Sequence, residues 1–192
     1  MARTPSIMLE LGTQAPTFEL IEPASGNNIS LAQYIDKPVL IAFISNHCPY
    51  VINIKEALVN FANEYQAKGL QLIAINANDI ENYPDDSPEK MVEDVKQYGY
   101  SFPYLFDESQ ATAKAYQAAC TPDFFMFDAE HKLYYRGQFD DSRPGNNEPV
   151  TGKDMKLAAD ALLARQTPPT EQKASLGCNI KWKAGNEPEY FS

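Results

Sequence analysis

Cysteine is scarce in this chain: 192 residues hold three, at positions 48, 120 and 178. So few, so widely spaced, exclude a disulfide framework, and an odd number points to chemistry or to a metal. Long apolar runs are missing as well. The longest is the six residues from Val39 to Ile44, far short of the roughly 18 that cross a bilayer. The stretch Met1–Glu10 has no apolar block of the about 7–15 residues that a secretory leader carries, so the expected compartment is the cytoplasm. Basic residues are in the minority, 16 against 26 acidic, and the formal net charge is −10. That balance argues against nucleic acid and against an anionic membrane surface as partners. Internal repeats and low-complexity segments are also absent.

What is present fits a globular protein. Apolar residues make up 44% of the chain and charged residues 22%, and the length suffices for one domain with a full core. The most informative stretch is Lys37–Tyr65. An apolar run, Val39–Ile44, passes through Ser45-Asn46-His47 into Cys48-Pro49-Tyr50-Val51. Apolar on both faces, the run predicts a central strand covered on both sides. From Pro49, the residues Ile54, Leu58, Phe61, Ala62 and Tyr65 recur at helical spacing, and Lys68-Gly69 closes the helix. Proline favours the first helical position, which makes Cys48 the expected N-cap. Free N–H groups and the positive end of the helix dipole favour a thiolate there. Helix starts lower a cysteine pKa from about 8.5 into the range of about 3.5–7.5. Cys48 is therefore the candidate nucleophile.

The rest of the chain organises around this segment. Gly12–Leu20 and Gly26–Leu31 read as turns leading into short strands, and Leu72–Ile75 as a second buried strand. After a polar loop, Asn78–Ser87, the run Ser87-Pro88-Glu89-Lys90 starts a helix that ends at Tyr98-Gly99. Phe102–Phe106 reads as a short edge strand, and Asp107 or Ser109 as the cap of a helix to about Ala118. Phe124–Phe127 and Leu133–Phe139 flank a turn as an antiparallel hairpin, with His131 in the turn. Thr151 or Gly152 starts a last helix to about Arg165. Residues 167–192 read as an irregular tail, packed on the domain of residues 1–166 through Trp182. Strands separated by helices imply right-handed crossovers and parallel pairing. The expected fold is an α/β thioredoxin-like one, a central mixed sheet flanked by helices, with an N-terminal β extension.

The segments Ala15–Leu20, Val39–Cys48, Thr121–Asp128 and Tyr135-Arg136-Gly137 resemble the redoxin branch of the thioredoxin superfamily. That branch includes the alkyl hydroperoxide reductase/thiol-specific antioxidant proteins, or peroxiredoxins. Asn46–Val51 and Gly177–Trp182 look like a peroxiredoxin-like subgroup of similar length. The departures are informative. Peroxiredoxins place a proline seven residues before the nucleophile and a hydroxyl residue three before it; here those positions hold Ile41 and Ser45. Where their arginine stands, this chain places Pro122, in a Thr121-Pro122 pair that resembles the cis-proline loop of thioredoxins. Thioredoxins use Cys-x-x-Cys, and Val51 occupies the second cysteine position.

The resemblance implies a thiol-based antioxidant or oxidoreductase in which the Cys48 thiolate attacks a small peroxide or a disulfide. Cys120, beside the cis-proline-like loop, is then the expected resolving thiol. Cys178 resolves, pairs across a homodimer, or anchors the tail, the last being favoured. Ser45 donates its hydroxyl to the sulfur or ends the strand. His47 supports the thiolate as a cation or faces solvent. Arg136 contacts peroxide or lies exposed on its strand, and Asp123 reads as a loop acid. An external thiol reductant of the thioredoxin or glutathione type is the implied partner, and no cofactor is implied. Two alternatives stand beside this reading: a zinc or copper(I) site built from the cysteines and His47, and a redox-inert interaction domain on the same fold.

Overall fold

The strand from the apolar run lies deep in a seven-stranded sheet. The structure, a computed structural model, describes residues 3–191. Met1 and Ala2, the first residues of the segment read as lacking a leader, and Ser192, the last of the tail, lie outside the described residues. The strands are β1 (Arg3–Pro5), β2 (Glu19–Glu22), β3 (Asn27–Ser30), β4 (Val39–Phe43), β5 (Gln71–Asn76), β6 (Tyr104–Phe106), β7 (Cys120–Thr121), β8 (Asp123–Phe127), β9 (Leu133–Arg136) and β10 (Leu176–Asn179). The helices are α1 (Pro49–Ala67), α2 (Pro88–Tyr98), α3 (Ala111–Ala115) and α4 (Lys153–Leu163). The main sheet runs β3-β2-β6-β5-β4-β8-β9, and a small sheet runs β1-β10-β7. β4, β5 and β6 are parallel neighbours, while β8 runs antiparallel to both β4 and β9.

Period-two alternation sorts the side chains of the central strands into two cores. Leu40, Ala42 and Ile44, with Leu72, Ala74, Phe124 and Met126, face α1, α2 and α4. Val39, Ile41 and Phe43, with Ile73, Ile75, Phe125 and Phe127, face Phe18, Ala113, Tyr116, Ile180 and Trp182. The thioredoxin-like α/β arrangement expected from the sequence is the one observed. Val51, Ile54, Leu58, Phe61, Ala62 and Tyr65 are the buried apolar stripe of α1, and full burial of a large apolar side chain is worth about 1.5–3 kcal/mol. A buried ion pair adds a polar anchor: Lys55 Nζ lies 2.8 Å from the Asp94 carboxylate of α2. Ser87 caps α2 by accepting from Lys90 N–H, and Gly99 ends it with a φ of 64°. No helix among the described residues is long and apolar enough to cross a membrane.

Three local expectations are corrected. β6 is an interior strand, because Ile21 of β2 pairs with Phe106 and extends the sheet beyond it. The helix after it is shorter, Ala111–Ala115, since Asp107 spends its carboxylate on Ala113 N–H and Ser109 Oγ, and Gln110 adopts a left-handed conformation. The tail is not wholly irregular. β10 is laid between β1 and β7, and Ile180 and Trp182 after it are buried in the second core.

Candidate functional site

β4 carries the chain to Ile44, and Ser45-Asn46-His47 turns it into α1. Cys48 is the N-cap and Pro49 the first helical residue. The Cys48 side chain is buried, and its Sγ lies 3.0 Å from Cys178 Sγ and 3.0 Å from the Thr121 carbonyl oxygen. As a thiolate it accepts from the Cys178 thiol, which is the largest influence. Burial opposes the charge, while the Thr121 side chain and the N–H groups of Val51 and Cys178 add further support. The outcome is a pKa lowered to about 5. Cys178 moves the opposite way, pushed far above the ordinary thiol value by its bond to Cys48, then by burial and by the neighbouring negative charge. One thiol is therefore a ready nucleophile, and the other keeps its proton.

Cys178 reaches this position through β10. Its Cα pairs with Thr121 of β7, immediately before the cis peptide bond to Pro122. The approach is so close that a Cβ on Gly177 would lie 2.0 Å from the Thr121 carbonyl oxygen. Only glycine allows the strand to seat there.

The expected Cys48–Cys120 partnership meets a geometric obstacle. Cys178 and Thr121 are register partners, and Cys120 is opposite Asn179. Successive strand residues point to opposite faces, so Cys120 is turned away from the face that Cys178 shares with Thr121. Its Sγ contacts Pro122 O at 3.5 Å, and complete burial, reinforced by Asp123, holds its pKa well above the ordinary value. The thiol beside Cys48 is that of Cys178, the residue expected from the sequence to anchor the tail.

Ser45 and His47 do not contact the sulfur. Ser45 Oγ donates to Asp86 at 3.1 and 3.2 Å, and His47 Nδ1 lies 2.7 Å from Asp86 Oδ2. The His47 ring stacks on Tyr83 at 5.8 Å with planes 5° apart, so it is held rather than facing solvent freely. Its bond to Asp86 raises its pKa against the opposing effect of burial. Arg136 is half-buried and committed elsewhere: Nε donates to Leu9 O at 2.6 Å and Nη1 to Gln172 Oε1 at 2.7 Å.

One carboxylate, Asp86, is not singled out by the sequence, and a second, Asp123, is corrected. Asp86, in the polar loop 78–87, is fully buried; burial opposes its charge, but bonds from His47 and Asn78 outweigh this and hold its pKa below the ordinary value. Asp123 is a β8 residue, not a loop acid. Burial pushes its pKa up to about 7 against N–H groups of Ala119, Cys120 and Phe124, and its Oδ1 has no partner among the described residues. The density of Asn and Asp in loop 78–87 was the one sequence signal for Asp86; for Asp123 there was none. Among the described residues no group of three or more His, Cys, Asp or Glu side chains is arranged to hold a metal.

The chain also has relatives among known proteins. The family model described as AhpC/TSA family matches residues 11–136. The thiol-disulfide oxidoreductase ResA of Halalkalibacterium halodurans is 30% identical over 105 residues, 55% of this chain and 55% of that protein. The chain thus matches about half the length of that relative. A hypothetical protein from Sinorhizobium meliloti 1021 has a solved structure with a TM-score of 0.93 and 52% identity, covering 95% of this chain and 100% of that one. A protein from Chlorobium tepidum, described as a putative thiol:disulfide interchange protein DsbE, shares the fold at a TM-score of 0.64 and 22% identity, over 81% of this chain and 99% of that one.

Proposed function

The chain belongs to the AhpC/TSA family, and we propose that it is a thiol-based oxidoreductase whose working unit is the Cys48–Cys178 dithiol. The observation that carries this is the 3.0 Å contact between two sulfurs of opposite protonation preference. The Cys48 thiolate attacks one sulfur of an oxidant disulfide, and the other sulfur leaves with the electron pair of the broken bond. Cys178 then gives up its proton and attacks the Cys48 sulfur of the mixed disulfide, releasing the second thiolate. The two sulfurs close to a bond of about 2.05 Å. An external thiol of the thioredoxin or glutathione type returns the protein to the dithiol, and a cytoplasmic setting supplies such reductants.

Peroxide is the slower oxidant in this reading. Attack on it leaves a Cys48 sulfenic acid, which Cys178 condenses to the disulfide with loss of water. Arg136 does not assist, since it is spent on Leu9 and Gln172. Stopped-flow peroxide consumption tests that ranking: a rate constant of ~10⁷ M⁻¹s⁻¹ or more, near the ceiling of efficient enzymes, would restore the dedicated peroxidase.

Peptide mapping after stoichiometric oxidation tests the pair itself. The Cys48–Cys178 disulfide is expected in the wild type and in Cys120→Ser, and not in Cys178→Ser. An intramolecular disulfide that survives Cys178→Ser and is lost in Cys120→Ser would return the resolving role to Cys120.

A further inference from the structure

Beside the dithiol lies a buried polar cluster that thiol exchange, as just described, does not use. Its centre is Asp86, with no exposed surface. The carboxylate accepts from Asn46 N–H at 2.7 Å, Ser45 Oγ at 3.1 Å, Asn76 Nδ2 at 3.1 Å and Asn78 Nδ2 at 2.7 Å. His47 Nδ1 completes the set at 2.7 Å. Burying a carboxylate costs several kcal/mol unless its lone pairs are met. The backbone and amide donors suffice to tie loop 78–87 to the end of β4. The imidazole adds something they do not, a titratable group fixed one residue before the nucleophile.

Its geometry is that of a held acid. Nδ1 is occupied by Asp86, and the ring plane is set by Tyr83. Nε2 has no protein partner among the described residues, and the side chain is 20% exposed. A fixed imidazolium with one unspent, partly exposed N–H, one residue before the nucleophile, can deliver a proton to an incoming molecule. We propose that His47 is the general acid for the group expelled when Cys48 attacks its oxidant, and that Asp86 is the residue that positions and charges it. This rests on the reading of Cys48 as the nucleophile.

The step balances. The Cys48 thiolate forms an S–S bond with the near sulfur of the disulfide, and the bond between the two substrate sulfurs breaks. The far sulfur takes the electron pair and the Nε2 proton and leaves as a neutral thiol. His47 is left uncharged and recovers a proton from solvent. The groups that face His47 are Asp86 and Ser45 on its Nδ1 side, Cys48 beside it in the chain, Tyr83 against its ring, and Lys181 of the tail. Lys181 Nζ lies 5.6 Å from the centre of the Tyr83 ring. Asp86 and Cys48 favour the charged ring, whereas burial and Lys181 oppose it.

The test separates acid catalysis from a field effect on Cys48. The reduced full-length protein is mixed with small disulfides whose leaving thiols range from aromatic, of low pKa, to alkyl, of high pKa. Rates of mixed-disulfide formation are followed by stopped flow. A general acid contributes about 10²–10⁴-fold where the leaving group needs the proton. His47→Gln is expected to slow alkyl leaving groups by about 10²-fold and aromatic ones far less. Asp86→Asn, which keeps the ring, is expected to move the alkaline limb of the alkyl rate to lower pH. His47→Gln slowing both classes equally, or neither, overturns the proposal even if Asp86→Asn fails to fold. A wild type that forms no mixed disulfide with any member of the series overturns instead the reading of Cys48, and this inference with it.

Discussion

Replacing Cys178 by alanine should raise the pKa of Cys48 by an amount that follows from one contact. The Cys178 thiol, 3.0 Å away, is the strongest of the influences that bring Cys48 to about 5. A hydrogen bond to a charged group is worth about 1.5–3 kcal/mol, and one pKa unit corresponds to about 1.36 kcal/mol. Loss of this donor should therefore move Cys48 up by roughly 1–2 units. Cys178→Ser keeps a hydroxyl donor and should stay closer to the wild type. Ultraviolet thiolate absorbance and alkylation rate against pH both read the midpoint. Cys120 does not interfere, since burial keeps it protonated. A Cys178→Ala midpoint that remains at about 5 would refute the reasoning and assign the effect to the Thr121 side chain and the backbone N–H groups. The same shifts act on stability. Between about 5 and 9.0 the unfolded chain holds a proton on Cys48 that the fold does not, so the contribution of Cys48 to reduced-protein stability rises with pH across that window. Above it the sign reverses, because folded Cys178 retains its proton while the unfolded thiol ionises.

Other perturbations are equally concrete. Gly177→Ala drives a Cβ to 2.0 Å from the Thr121 carbonyl oxygen, so β10 should unseat; the Cys48–Cys178 disulfide yield, read by mass spectrometry, should collapse, with a stability loss of about 1–3 kcal/mol. Lys55→Met leaves Asp94 without its cation in a buried site and should cost about 3–5 kcal/mol in urea unfolding; a loss under about 1 kcal/mol would show that Tyr100 Oη, 2.7 Å from Asp94, suffices alone. Asp123 has a raised pKa, so its contribution is intact below 3.8 and is lost as pH climbs through about 7. Asp123→Asn should therefore gain on the wild type toward alkaline pH, by at most about 4 kcal/mol, and parallel unfolding curves from pH 5 to 9 would contradict this. Finally, the oxidised protein should be more stable than the reduced one near pH 5 by about 5 kcal/mol, and the gap should narrow toward pH 9; denaturant unfolding of both forms measures it, and a constant gap would break the link drawn below.

Much of this architecture was legible because it is written in local periodicity. Val39–Ile44 shows apolar character on both faces, and the structure places a core on each. Cys48-Pro49 marks a helix start, and Ser87-Pro88 another, each by side-chain and backbone chemistry that acts within one turn. What was illegible depends on pairings distant in sequence. That β6 is interior follows from Ile21 meeting Phe106. Leu176-Gly177-Cys178-Asn179 has little intrinsic strand character, and its ladder exists because β1 and β7 flank it. Nothing local marks Gly177 as a site of close approach. Cys120 stood nearer the proline loop in sequence, but alternation along β7 sends its side chain to the wrong face. Asp86 looked like any loop acid until the fold gathered its donors around it.

The origin of the second thiol has an energetic consequence. Val51, three residues after Cys48, is buried and gives the sulfur only its backbone N–H. A cysteine there would close a loop of a few residues and scarcely restrict the unfolded chain. The partner instead arrives from 130 residues away, so oxidation ties most of the polypeptide into one loop. In the chain-entropy treatment a loop of this size is worth about 5 kcal/mol, and by linkage the folded state holds such a disulfide more firmly than the unfolded state does. An opposing contribution comes from the reduced form. Above pH 5 the fold is favoured by a Cys48 thiolate that its surroundings prefer to the thiol, and oxidation removes that preference. Near pH 5 the loop entropy acts almost alone; toward pH 9 the thiolate contribution grows by about 1.4 kcal/mol per unit and offsets it. The tail strand therefore does more than supply a sulfur. By joining the proposed redox pair to the whole chain, it would make the ease of reducing Cys48–Cys178 depend on pH and on the global stability of the fold together.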